Sequence, residues 1–181
     1  MWQASSHCLR FSVLCEAMTD SQKELWKIRA AVIGWLRYER HCPLVCFERS
    51  PFDEYVYRPD IIGVNRTWRV IEVEIKQTIQ DFRRNGEKRG HKLRYQFPAQ
   101  FYFAVPYRLM NRARPLLKDG QGLLVMQEED SKKFGPQVVA VVGAKVNRAA
   151  TRLSKYTAMR MVLHQTASLQ RAVLALSRLE T

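Results

Sequence analysis

One segment limits the fold more than any other: residues 68–76, WRVIEVEIK, in which apolar and charged side chains alternate. A period of two residues is typical of a β-strand. One face of this strand is apolar and the other carries charge: Ile71, Val73 and Ile75 against Glu72, Glu74 and Lys76. Burying such charges is costly unless they bind a cation or each other. The segment is therefore either an edge strand with its polar face in water, or an interior strand whose charges are paired.

The preceding segment predicts a partner for this strand. Residues 57–64, YRPDIIGV, also have strand character, and Asn65-Arg66 can form the turn between the two. Pairing in a hairpin brings Asp60 beside Glu74. Two carboxylates at one position can hold a hard divalent cation, with Lys76 one pleat further along.

The rest of the chain predicts alternating helices and strands. A helix begins after an N-cap at Asp20 or Ser21, and residues 149–180 form a long amphipathic helical region. Between them, further strands are predicted at residues 44–48, 100–106, 122–127 and 136–146. The basic stretch 77–96 is predicted to be helical in pieces, broken near Gly86 and Gly90, and residues 107–117 form one short helix. The order is α, three strands, α, β, α, two strands, α. This order predicts a mixed α/β domain with a central sheet flanked by helices.

Basic residues are concentrated in one stretch. The chain has 30 Lys and Arg against 17 Asp and Glu, a net charge of +13. Residues 81–118 carry ten basic side chains and two acidic ones, directly after the most acidic part of the chain. The basic side chains at its start are Arg83, Arg84, Lys88, Arg89, Lys92 and Arg94. They form either a solvated helical face or a phosphate-contacting surface, and the shortage of acids to pair with them favours phosphate.

Other features narrow the class of protein. No run approaches the roughly 18 apolar residues of a membrane span, so an integral membrane protein is excluded. The N-terminus is a poor signal peptide, because its apolar run is interrupted by Arg10 and lacks a basic start. The four cysteines are Cys8, Cys15, Cys42 and Cys46. Their spacing favours reduced structural thiols over a zinc or iron–sulfur site, and we expect an intracellular protein.

Pro59-Asp60, thirteen further residues and Glu74-Ile75-Lys76 resemble the PD-(D/E)xK signature of restriction-endonuclease-like nucleases. The later residues are similar to the MmcB-type DNA-repair branch of that superfamily: Asp81-Phe82, Lys92, Tyr95, residues 101–106 and Gly122-Leu123-Leu124. The resemblance covers roughly residues 20–148. It departs from the family pattern in a glycine-containing insertion at 85–91 and in an additional C-terminal helix.

The resemblance implies a restriction-endonuclease-like core and roles for particular residues. Asp60, Glu74 and the Ile75 carbonyl would hold Mg²⁺ or Mn²⁺, while Lys76 positions the attacking water. Glu24 matches an acidic position on the first helix that contributes to the metal site, although it can equally compensate the helix dipole. Glu72 is either an outer acid or a solvent-facing strand residue, and the second is favoured.

The resemblance also implies an activity, a partner and a domain organisation. The activity is endonucleolytic hydrolysis of DNA in repair, recombination or mobile-element and phage processes. RNA is left open as a substrate. Lys92 and Tyr95 would lie near the scissile phosphate. The alternative is a nucleic-acid-binding module of the same fold that no longer cleaves. The predicted divisions are a loosely ordered leader (1–19), a nuclease-like core (20–148) and a C-terminal helix (149–181). That helix packs on the core or on a second copy in a homodimer.

Overall fold

The computed structural model describes residues 18–47, 59–84, 98–127, 136–163 and 165–166. These residues contain a six-stranded sheet in which the spatial order follows the chain order, β1-β2-β3-β4-β5-β6. The strands are β1 (Leu44–Phe47), β2 (Ile61–Val64), β3 (Val70–Ile75), β4 (Pro98–Pro106), β5 (Gln121–Met126) and β6 (Val138–Val142). The first three strands pair antiparallel, β3, β4 and β5 pair parallel, and β6 returns antiparallel. The predicted mixed α/β architecture with a central sheet is confirmed.

The helices occur where the sequence predicts them. They are α1 (Asp20–Gly34), which continues as a π-helical turn (Trp35–Glu39), α2 (Ile79–Arg84), α3 (Met110–Ala113) and α4 (residues 155–163). Short 3₁₀ turns, Tyr107–Leu109 and Arg114–Leu116, flank α3. The C-terminal helix begins later than predicted, because residues 149–154 are not helical. Residues 1–17 of the predicted leader and residues 167–181 lie outside the described residues.

Helix α1 begins one residue earlier than expected. Thr19 is the N-cap: its hydroxyl accepts a hydrogen bond from the Gln22 N–H at 3.3 Å, and the Gln22 side chain accepts from the Thr19 N–H at 2.9 Å. This reciprocal capping box satisfies two backbone donors at once. The prediction of Asp20 or Ser21 as N-cap was therefore wrong.

Helices cover both faces of the sheet. On one face Ile28 and Val32 of α1 and Trp35 of the π-helical turn pack against β3, β4 and β5. On the other face α2 and α3 pack against β4 and β5, while Ala158 and Met161 of α4 pack against β2 and β3. Leu163 on the same helix is 61% exposed, whereas Ala158 and Met161 are buried. No helix among the described residues is long and apolar enough to cross a membrane.

Candidate active site

The charged strand of the sequence analysis lies inside the sheet. Strand β3 pairs with β2 on one side and β4 on the other, and all six of its residues are buried. Glu72 and Glu74 are each 4% exposed and Lys76 is 7% exposed. The edge-strand alternative is thus excluded. The expectation that Glu72 faces solvent was wrong, since parallel pairing with β4 places it in the middle of the sheet.

The register of the hairpin brings Asp60 opposite Glu74. Ile61 pairs with Val73, so one step beyond the end of β2 aligns Asp60 with Glu74. Opposed residues of paired strands point to the same face. The Asp60 Oδ2 atom also accepts a hydrogen bond from the Ile75 N–H at 2.8 Å. The Asp60 carboxylate therefore accepts the hydrogen bond that a backbone carbonyl would accept from the Ile75 N–H if β2 were longer.

The same geometry directs a backbone oxygen to this position. In an antiparallel ladder the N–H and C=O of one residue face the same neighbouring strand. Because the Ile75 N–H points to Asp60, the Ile75 carbonyl faces the Asp60 side of β3 as well. Two carboxylates and one carbonyl are consequently directed to one end of the β2–β3 pair.

Charge at this position is only partly balanced. Burial and the neighbouring Glu74 raise the pKa of Asp60, while the Ile75 N–H, Lys76 and Arg29 act in the opposite direction. The Lys76 Nζ atom donates to Glu74 Oε2 at 3.1 Å, and both side chains are almost completely buried. The net effect is that a negative charge on Asp60 is disfavoured in the folded protein.

A divalent cation fits this set of donors. Mg²⁺ prefers oxygen ligands, binds through one or two carboxylates and retains several waters. Asp60 and Glu74 with the Ile75 carbonyl are such a set, and a cation between the carboxylates would relieve their repulsion. Within the described ranges no three His, Cys, Asp or Glu side chains form a group that could hold a metal. Among the described residues, the side-chain ligands offered at this site are Asp60 and Glu74.

Glu24, predicted to contribute to the metal site, has other partners. Both nitrogens at the end of the Arg108 guanidinium bond the Glu24 carboxylate, Nη1 to Oε1 and Nη2 to Oε2, the second at 3.0 Å. The Gln77 side chain donates to Glu24 Oε2 at 3.2 Å and to the Ser21 carbonyl at 2.7 Å. Glu24 thus lies beside the residue that follows Lys76, in an ion pair with Arg108.

Two basic residues that sequence reasoning missed take part in this arrangement. Arg29 on α1 acts electrostatically on Asp60, and Arg108 joins Glu24 to the carbonyl of Gln77, which accepts at 3.2 Å. Arg108 follows the end of β4 by two residues, and ligands of open α/β sheets bind outside the carboxyl ends of strands. Its position after β4 is the feature by which Arg108 could have been predicted from the sequence. No sequence feature distinguishes Arg29 from the other polar residues of α1.

The predicted DNA-binding residues are described only in part. Arg83 and Arg84 are exposed on the last turn of α2, which begins three residues after Lys76. Lys88, Arg89, Lys92, Arg94 and Tyr95 lie outside the described residues. Of this set, Arg83 and Arg84 are the residues that can be placed, and both are exposed shortly after Lys76 in the chain.

The cysteines that can be placed are structural. Cys42 and Cys46 are free thiols and buried. Burial raises the pKa of each to about 11, so both stay protonated at neutral pH. The Cys46 thiol donates to Gln165 Oε1 at 3.1 Å. The prediction of reduced structural thiols is confirmed for this pair, whereas Cys8 and Cys15 lie outside the described residues.

Comparison with known proteins gives a fold but no activity. No protein-family model matches the chain, and no curated protein matches it. Among solved structures it is similar to a protein of unknown function from Silicibacter pomeroyi, with 19% sequence identity and a TM-score of 0.50. The match covers 81% of this chain and 88% of the other. At this identity the likeness shows a shared fold alone.

Proposed function

We propose that this protein is a Mg²⁺- or Mn²⁺-dependent nuclease that hydrolyses DNA phosphodiester bonds. The observation that supports it most is the group formed by half-buried Asp60 with buried Glu74 and Lys76 at the end of an interior strand. A fold built for stability alone gains little from such a group, since buried charges cost several kcal/mol each before they are paired. A carboxyl group whose pKa is raised by burial and by a neighbouring carboxylate, as that of Asp60 is, is a candidate for a functional site.

The order of elements supports the narrower proposal of a restriction-endonuclease-like core. An antiparallel hairpin carries the PD and ExK residues, a helix precedes it, and the next two strands run parallel to β3. The PD-(D/E)xK assignment rests on this arrangement together with the spacing of Pro59-Asp60 and Glu74-Ile75-Lys76. The MmcB-type branch rests on the resemblance of the later residues, such as Asp81-Phe82 and Gly122-Leu123-Leu124.

The proposed roles follow from the position of each side chain. Asp60 and Glu74, with the Ile75 carbonyl, would hold the cation, which when bound supplies an acidified water and neutralises charge at the phosphate. The Lys76 ammonium, already oriented by its hydrogen bond to Glu74, offsets negative charge that develops on the phosphate in the transition state. Arg83 and Arg84 contact the backbone of the bound DNA.

Cleavage of plasmid and oligonucleotide DNA with added Mg²⁺ or Mn²⁺ tests the proposal. We expect Glu74→Gln and Lys76→Gln each to lower the rate at least about 100-fold, the size typical of lost electrostatic stabilisation. Asp119→Asn and Lys145→Gln are matched controls, because this exposed ion pair bonds at 2.5 Å outside the site. They should cleave like wild type. Equal cleavage by all five proteins would show that the activity comes from a contaminant or another site.

The alternative is a DNA-binding module of the same fold without cleavage. One observation favours it: Lys76 and Arg29 already counter the negative charge of Asp60 and Glu74, as the bound cation of a nuclease would. In that case DNA binds, no metal-dependent nicking is detected, and Mg²⁺ leaves the melting temperature unchanged.

A further inference from the structure

A second basic surface lies at the end of the sheet opposite the candidate active site. It is formed by the turn between β2 and β3, residues 65–69, and by residues 148–155, which lead into α4. We call it the turn surface. Strand β3 rises by about 3.3 Å per residue, so Arg69 at its start and Lys76 beyond its end are roughly 20 Å apart. The turn surface is therefore separate from the site that holds Lys76.

Two hydrogen bonds join the segments of the turn surface. The Leu153 N–H donates to the Trp68 carbonyl at 2.7 Å. The Arg69 guanidinium donates to the Arg148 carbonyl at 3.3 Å. Leu153 is also buried with residues of β2 and β3 on the face of the sheet that α4 covers. These contacts place the cations of both segments on one surface.

The exposed cations of the turn surface have no acidic partner among the described residues: Arg66, Arg148, Arg152 and Lys155. Residues 61–71 and 136–163 contain no Asp or Glu at all. Two described acids lie at the same end of the sheet. Asp119 is paired with Lys145, and Glu39 belongs to the π-helical turn, which packs on the opposite face. The turn surface consequently carries a concentrated positive charge.

The neighbouring chain adds cations to this end of the sheet. Val70 pairs with Pro98, the first residue of β4. The ten residues before Pro98 include four Lys and Arg and no acid. The acid-rich segments 48–58 and 128–135 instead follow Phe47 and Gln127, which lie at the other end of the sheet.

The turn also holds a tryptophan in a conformation that costs energy. Trp68 has a φ of 62°, in the left-handed region that bulky side chains rarely adopt, and it remains 38% exposed. The Asn65 side chain fixes the turn by accepting from the N–H groups of Thr67 and Arg69, both at 3.0 Å. The Asn65 carbonyl accepts from the Trp68 N–H at 3.0 Å. Strained residues of this kind concentrate at functional sites.

We propose that the turn surface binds a second segment of the DNA backbone, away from the scissile phosphate. The choice of DNA among polyanions rests on the proposed function. Three of the four exposed cations are arginines, whose guanidinium group can bond a phosphate through two parallel N–H groups. The ring of Trp68, in the same turn as Arg66, contacts the same strand. The turn surface thereby holds flanking DNA while the candidate active site acts on one phosphate.

DNA binding in EDTA tests this inference without cleavage. Fluorescence anisotropy of a labelled duplex is measured at several NaCl concentrations for wild type and for a turn variant, Arg66→Gln with Arg152→Gln. The control removes two exposed arginines from α3 and the 3₁₀ turn after it, Arg112→Gln with Arg114→Gln. Trp68→Asn and Trp68→Phe examine the ring, since asparagine tolerates a positive φ. Thermal melting verifies that each variant is folded.

The turn variant should reduce the magnitude of the salt slope by about 2, one for each phosphate contact that is lost, and the control should keep the slope of wild type. Trp68→Asn should weaken binding at least about fivefold, as expected for loss of an aromatic anchor, and Trp68→Phe should bind like wild type. Equal slopes for the turn variant and its control, or wild-type affinity of Trp68→Asn, would overturn the inference.

Separation from the candidate active site is tested in an Arg83→Gln, Arg84→Gln background. The turn variant should lower DNA affinity by the same factor there as in wild type, because independent contacts contribute additively to the free energy of binding. A loss that vanishes in this background would show one shared contact and refute a second segment.

Two further outcomes separate this inference from its alternatives. Vesicles containing phosphatidylserine that bind wild type and not the turn variant, with DNA affinity unchanged, would assign the turn surface to a membrane and overturn the inference. If the turn variant loses DNA contacts and no protein cleaves, the nuclease proposal fails and the second segment stands. If DNA is cleaved and the turn variant binds it like wild type, the nuclease proposal stands and this inference fails.

Discussion

At the scale of single residues, the most informative side chain is Asp60. Its carboxylate accepts a hydrogen bond from the N–H of Ile75 and lies opposite Glu74. A charged side chain thus replaces a backbone carbonyl as the acceptor for this N–H. Burial and the charge of Glu74 both raise the pKa of Asp60, which means that its ionised form costs stability in the absence of a cation. Such a cost is typical of a site kept for function.

Replacing Asp60 by asparagine should stabilise the metal-free protein. Asparagine keeps an oxygen for the Ile75 N–H and removes the repulsion with Glu74, so we expect the melting temperature to rise by about 2–4 °C, the effect of ~1 kcal/mol in a chain of this size. Mg²⁺ should raise the melting temperature of wild type and leave that of Asp60→Asn unchanged. Scanning calorimetry in EDTA and in Mg²⁺ measures both effects.

Asp119→Asn is the control for this prediction. The Asp119 carboxylate is exposed and paired with Lys145, so its removal should shift the melting temperature little in either buffer. A lower melting temperature for Asp60→Asn in EDTA would contradict the assigned repulsion.

At the scale of secondary-structure elements, β4, β5 and α1 are joined by one aromatic ring. Tyr102 on β4 lies against Gly122 on the neighbouring strand β5, where an added Cβ atom would stand 2.3 Å from Tyr102 Cδ1 and 2.8 Å from the Ala144 nitrogen. The same ring meets Trp35 of the π-helical turn edge-on, with centroids 5.1 Å apart. A glycine is therefore required for the ring to connect the sheet to the end of α1.

Gly122→Ala should lower the free energy of unfolding by about 1–3 kcal/mol, the usual cost of overpacking a core. The Tyr102 ring and the backbone at Ala144 would both have to shift. Gly143→Ala is the matched control, since nothing lies within 4 Å of its added Cβ atom. Urea denaturation of the two variants and wild type measures the difference, and equal stability of the two variants would refute the packing argument.

At the scale of the whole molecule, the net charge of +13 favours binding to a negatively charged partner. Two of the basic residues, Arg83 and Arg84, are exposed on α2, which follows β3 and Lys76 in the chain. Contact with phosphates releases bound counterions, so DNA affinity should fall as salt rises.

We expect the logarithm of DNA affinity to fall linearly with the logarithm of salt concentration, with a slope of about −5 if about six phosphates are contacted. The Arg83→Gln, Arg84→Gln double variant should reduce the magnitude of that slope by about 2. Lys145→Gln, which removes an exposed cation paired with Asp119, should change the slope little. Anisotropy titrations at several NaCl concentrations measure it, and an affinity independent of salt would exclude DNA as the partner of the basic surface.

The sequence by itself determined the local features. The period of two at residues 68–76 and the alternation of helical and strand patterns along the chain predict the elements and their order, because these patterns act over a few residues. The pairing of Asp60 with Glu74 could also be predicted, since a short turn sets the register of a hairpin.

Only the tertiary structure decided what surrounds that pair. Strand β3 becomes an interior strand through parallel pairing with β4, which begins 23 residues after Ile75 and leaves no trace in the pattern of either strand. Burial of Glu72 and the ion pair between Glu24 and Arg108 both depend on that pairing. They join residues distant in the chain, and such contacts form when the sheet and helices pack, whereas local sequence patterns report only on near neighbours.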